Sequence, residues 1–117
     1  MSSRSSKERI QDILNAIDNA IDSIQNRTVD LNFDEFCQNE TLIKAGLYDL
    51  IIIGEAAINI PADIQALAPE LPWRLMGDMR NIVAHEYFQV NLRVTWSTTQ
   101  HNVPPLVNPL EQLQATL

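Results

Sequence analysis

The stretch RNIVAHEYF, residues 80–88, sets Arg80, Asn81, His85 and Tyr87 among apolar neighbours. An arginine is permanently charged, and its planar fork suits a phosphate and the extra charge that phosphate carries in a transition state. A histidine moves protons near neutral pH. Together they are sufficient to cleave RNA without a metal. A base takes the 2′-hydroxyl proton, that oxygen attacks the adjacent phosphorus, and an acid protonates the departing 5′-oxygen, leaving a 2′,3′-cyclic phosphate. Asn81 can orient His85 or bind phosphate, and Tyr87 can stack on a base or hydrogen-bond the phosphate. A plainer reading stands beside this one. A histidine near a helix C-terminus is favoured by the dipole when charged, and clustered polar groups are often structural.

The elements that must position these residues are helices. Residues 5–26 carry Ile10, Ile13, Leu14, Ile17, Ile21 and Ile24 at steps of three and four, the mark of an amphipathic helix. TVDLNFDEF breaks the pattern, with Asp30, Asn32 or Asp34 able to cap a new turn around Phe33 and Phe36. A long helix is predicted from Glu40 to Asn59, ended by Pro61. Within it IIIGEAAINI holds Gly54, Ala56 and Ala57, small residues suited to close helix packing. Pro61, Pro69 and Pro72 mark a connecting segment, and Pro72 suits the start of a helix over 73–88. A further helix is predicted from the cap Asn91 to about His101, and a last one over 106–116 despite Pro109. The expected fold is all-α, a single domain over residues 1–117 forming an up-and-down bundle of four to five helices.

On a wheel of about 100° per residue, Leu75, Met76, Met79, Ile82 and Val83 share one arc of the 73–88 helix, the expected core face. Arg80 and Tyr87 stack on one flank, Asn81 and His85 on another. Gly77 and Ala84 lie between the flanks, opposite that core. This small-residue stripe suggests a second helix, most simply the same helix of another copy across a two-fold axis. A symmetric dimer would also bring two His85 and two Arg80 to one cleft, supplying both an acid and a base.

Composition narrows the class. The chain has 117 residues, 45% of them apolar, and a net charge of −7. That charge argues against a general nucleic-acid coat protein, and DNA is not an expected partner. It leaves room for a local basic site, since arginine supplies most of the basic residues. One cysteine, Cys37, excludes a disulfide framework within the chain, reads as a packing residue, and fits a cytoplasmic setting. MSSRSSKERI lacks the apolar core of a signal peptide, and Leu50–Ile53 is far too short for a membrane span. No metal-ligand spacing and no Walker-type loop is present, so no metal and no cofactor are expected. Glu55 reads as a solvated or interface-paired carboxylate, His101 as a surface residue, and Trp73 and Trp96 as core or interface anchors.

LPWRLMGDMRNIVAHEYF resembles the catalytic segment of the HEPN superfamily, in particular the HepT-like toxin ribonucleases. The matching features are Pro-Trp, Met-Arg-Asn, four residues between Arg80 and His85, and His-x-Tyr-Phe. IIIGEAA at 51–57 resembles the family's Ile-Gly-Glu-Ala-Ala helix, and the likeness runs over roughly residues 8–113. It implies an all-α homodimer and a metal-independent endoribonuclease with Arg80 and His85 at the dimer cleft, acting on RNA such as tRNA or mRNA. It also implies a partner, a minimal nucleotidyltransferase antitoxin able to transfer AMP to Tyr87. A bulky anion there would occupy the positive site beside Arg80. Tyr48 and Asp49, where relatives often carry Arg and a polar neighbour, and Gln89, in place of a common Gly, depart from the pattern. The alternative is a non-catalytic helical module that binds the partner or a nucleotide.

Overall fold

The computed structural model describes residues 6–84 and 91–117. Among them every regular element is helical. Helix α1, Ser6–Thr28, buries Leu14, Ile17, Ile21 and Ile24 almost completely, the stripe its sequence spacing demands. Asp30 then takes a left-handed φ of 61°, a conformation an Asp tolerates better than most side chains, and turns the chain. Of the three possible caps, Asn32 is the one used. Its side chain accepts from the Glu35 amide while Glu35 accepts from the Asn32 amide, a reciprocal capping box that starts the short α2, Phe33–Cys37.

Asn39 caps the central helix α3, Glu40–Ile58, by accepting from the Leu42 amide. A single turn, α4 (Ala62–Gln65), falls within the proline-marked connection. Helix α5 follows at Trp73–Ala84, with Met76 N donating to Pro72 O at 2.9 Å. Trp73 ties the connection down: its indole Nε1–H points at Ala68 O (3.0 Å) and Gln65 O (3.2 Å). Asn91 caps α6, Leu92–Ser97, through its side-chain oxygen. A wider π-helical turn over Thr98–Asn102 and a 3₁₀ turn at Pro104–Leu106 lead into α7, Val107–Thr116. His101 is exposed on that wide turn.

Helix α3 is the spine. Helix α1 packs along one side of it and α5 along another, while α7 closes against α1. Leu50, Ile53 and Ala57 of α3 meet the α1 stripe and Met76 and Met79 of α5 in one apolar cluster. Away from it, Trp96 anchors α6 to α2, its ring 5.2 Å from Phe36 and 6.4 Å from Phe33. Cys37, at the end of α2, is half-buried. Asp49 is the buried acid of α3, held by Arg27 Nη1 at 2.8 Å. Burial pushes its carboxyl above the usual range, and the Arg27 charge and hydrogen bond pull the other way.

The face that α5 presents differs from the wheel reading. Met76 and Met79 are buried as expected, but Leu75 is 44% exposed and Gly77 is buried against α3. The buried arc is therefore turned by somewhat less than one residue step of about 100°, toward Gly77 and Arg80. The physical reason is contact distance. A Cβ on Gly54 would lie 2.8 Å from Arg80 N, 2.9 Å from Arg80 Cβ and 3.1 Å from Gly77 O. Backbone meets backbone there because Gly54 has no side chain. A Cβ on Gly77 would approach Ile58 Cγ1 to 3.2 Å. Gly77 thus faces α3 of its own chain and does not sit opposite the core.

Two glycines of α3 therefore respond to alanine with opposite signs. Gly54→Ala forces two backbones apart and should destabilise the fold by about 1–3 kcal/mol. At Gly46 a Cβ would meet nothing within 4 Å, so Gly46→Ala should add about 0.5–1 kcal/mol from helix propensity. Urea unfolding of the three proteins side by side measures both.

Candidate active site

The crossing of α3 and α5 fixes one member of the candidate constellation directly. With Arg80 N and Cβ pressed against Gly54, the guanidinium leaves the crossing beside Glu55, the next residue of α3. Arg80 Nη1 donates to Glu55 Oε1 at 2.7 Å, with the two side chains 43% and 52% exposed. At that exposure the pair contributes about 0–1 kcal/mol to stability. Its main consequence is geometric: a long, flexible cationic side chain is held in one direction. Glu55 is therefore a paired carboxylate whose partner belongs to the same chain.

Arg80 and Asn81 also line a common groove of about 330 Å³, bounded by Ala57 and Ile58 of α3, Gln65 of α4, and Trp73, Arg74, Gly77 and Asp78 of α5. Glu55 lines a different depression, of about 620 Å³, between α1 and α3, with Ile13, Ala16, Ile52 and Ala56 as its apolar floor. The Arg80–Glu55 pair thus bridges the ridge between two grooves. Arg80 is half-buried at the edge of the first one, accessible to an anion while its stem is clamped.

His85, Tyr87 and Gln89 lie outside the described residues, as does the side chain of Ala84, the last described residue of α5. Of the positions singled out in the sequence, the structure brings Arg80 and Asn81 together at the groove, with Gly54 and Gly77 beneath them. Tyr48 is 64% exposed on α3. Sequence reasoning passed over Arg74 and Asp78, which line the same groove, and did not join Glu55 to Arg80. Adjacency of Gly54 and Glu55 was the available signal: a glycine that admits a second backbone places its neighbour beside whatever that backbone carries. Among the described residues no group of three or more His, Cys, Asp or Glu side chains could hold a metal, and no helix is long and apolar enough to cross a membrane.

Among the described residues every regular element is helical, and the clamped arginine at the α3–α5 crossing is followed in sequence by His-x-Tyr. The ribonuclease HepT-like family matches residues 17–113, and the chain belongs to that family. It is 39% identical over 111 residues to "Probable ribonuclease HepT" of Thermococcus cleftensis, covering 95% of this chain and 97% of that one. It is 32% identical over 113 residues to "Putative RNase MJ0125" of Methanocaldococcus jannaschii, covering 97% and 94%. A further relative from that organism, "Putative RNase MJ1380", is 32% identical over 111 residues, covering 95% and 98%. No solved structure gives a significant match.

Because the Arg80–Glu55 pair is half-exposed, Glu55→Gln should change unfolding free energy by less than about 1 kcal/mol. A larger loss in chemical denaturation would mean that the pair holds the bundle together.

Proposed function

We propose that this protein is the toxin of a toxin–antitoxin pair, a cytoplasmic, metal-independent endoribonuclease that cuts RNA through Arg80 and His85. The observation that carries the reading is the clamped Arg80. An arginine directed by Glu55 at the rim of an open groove is a preorganised anion site, and the family is one of ribonucleases. Preorganised charge at the place where a phosphate gains negative charge is the main lever such a reaction has.

In the reaction, the guanidinium of Arg80 faces the non-bridging oxygens of the scissile phosphate. His85 takes the proton of the 2′-hydroxyl, and the 2′-oxygen forms its bond to phosphorus. The P–O5′ bond breaks and the 5′-oxygen receives a proton from a second acid. Atoms and charge balance with a 2′,3′-cyclic phosphate on one fragment and a 5′-hydroxyl on the other. A symmetric dimer provides the second acid as the His85 of the other copy. Asn81, at the groove beside Arg80, binds phosphate or orients His85. A nucleotidyltransferase antitoxin silences the site by transferring AMP from ATP to the Tyr87 hydroxyl, which loses its proton as pyrophosphate leaves. The added phosphate is then an intramolecular competitor for Arg80.

Three variants test this. Arg80→Ala and His85→Ala should each lower cleavage of a defined RNA by about 10²-fold or more with the elution volume of the protein unchanged. Tyr87→Phe should lose the AMP-sized mass additions acquired on co-expression with the nucleotidyltransferase. Wild-type protein of unmodified intact mass that cuts no RNA would contradict the catalytic reading and favour a non-catalytic binding module.

A further inference from the structure

We propose that the groove between α3, α4 and α5 is a binding site for one nucleotide of single-stranded RNA beside the cut, with Arg74 on its phosphate and Asp78 on its base. The proposal rests on Arg80 being the residue that meets the scissile phosphate. It assigns a role to two residues that the reaction itself does not use.

The groove follows from the order of residues on α5. Trp73, Gly77 and Arg80 form one row along the helix, and Arg74, Asp78 and Asn81 form the next. All six line the groove. Gly77 keeps that lining low where α5 meets Ile58, since a Cβ there would stand 3.2 Å from Ile58 Cγ1. The volume of about 330 Å³ lies at the small end of ligand-sized sites. The apolar part of its lining, Ala57, Ile58 and Trp73, suits the face of a base.

The charges are placed unevenly. Arg74 and Asp78 are four residues apart and both exposed, a spacing at which opposite charges often pair. Among the described residues neither is in a salt bridge, with the other or with a third residue. A groove meant only to attract a phosphate chain gains nothing from a carboxylate. A carboxylate accepts hydrogen bonds and donates none, so Asp78 fits the amino edge of a base. The exocyclic amines of adenine, cytosine and guanine meet that need, whereas uracil offers only its N3–H, flanked by two carbonyl oxygens that repel a carboxylate. Arg74, six residues and so about 9 Å along α5 from Arg80, is the cation for the neighbouring phosphate.

Binding can be read without cleavage by using short 2′-O-methyl oligoribonucleotides, which lack the attacking hydroxyl. Fluorescence anisotropy should show wild-type protein binding oligoadenylate and oligocytidylate more tightly than oligouridylate. Arg74→Ala should weaken binding roughly tenfold, the scale of one charge-assisted contact. Arg93→Ala removes an equally exposed arginine that lies over Phe33, outside the groove, and should change binding by less than about twofold. Asp78→Asn should remove the preference against uridylate. Arg74→Ala binding within about twofold of wild type, no binding by wild type, or equal binding of all bases by wild type would each overturn the proposal. Unmodified RNA separates this from the ribonuclease reading. Binding as described with no cleavage would contradict that reading and leave the groove in place, while cleavage with an unaffected Arg74→Ala would do the reverse.

Discussion

The close approach of α3 and α5 at Gly54 is the contact on which the rest of the molecule depends. Helices with ordinary side chains at the crossing sit about 8–10 Å apart. Here the backbone N of Arg80 lies only 2.8 Å from where a Cβ of residue 54 would be. That contact fixes the rotation of α5 about its own axis, which in turn decides which residues are core and which meet solvent. Met76 and Met79 go inward, Leu75 is left half-exposed, and Gly77 turns to Ile58. Interiors are close-packed, so such a crossing has few alternative arrangements of similar energy.

The chemistry inherits this rigidity. A free arginine side chain samples many rotamers, and ordering it costs about 2 kcal/mol of entropy. With its stem at the crossing and its guanidinium on Glu55, part of that ordering is complete before any anion arrives. The pair is too exposed to contribute much stability. The glycine that permits the approach and the glutamate that follows it therefore act as one unit, with Gly54 bringing the arginine near and Glu55 directing it.

Much of the fold was legible in the sequence because it is carried by local signals. The isoleucine stripe of α1, the caps Asn32 and Asn91, and the prolines at 61 and 72 all place helix ends close to where they are found. The Arg80 and Asn81 pair stood out by residue type, and both line one groove. What was not legible was the face of α5. A wheel weighted by hydropathy follows Leu75 and ignores Gly77, yet burial of a glycine is a property of the helix opposite. The link from Glu55 to Arg80 spans 25 positions and two helices, and no spacing rule reaches it. Arg74 and Asp78 looked like ordinary surface charge for the same reason, since the groove they share exists only once α3 and α4 are in place.

On the proposed reading, Glu55 acts on RNA cleavage only through Arg80. A double-mutant cycle on the cleavage rate tests it most directly, with Glu55→Gln, Arg80→Lys and the two combined. Arg80→Lys keeps a charge and leaves measurable activity from which a second loss could be read. If Glu55 works by directing the guanidinium, Glu55→Gln slows cleavage in the wild-type background and has little further effect once Arg80 is lysine. Losses that simply multiply in the double variant would contradict the account, because the glutamate would then be acting on the reaction by a route of its own.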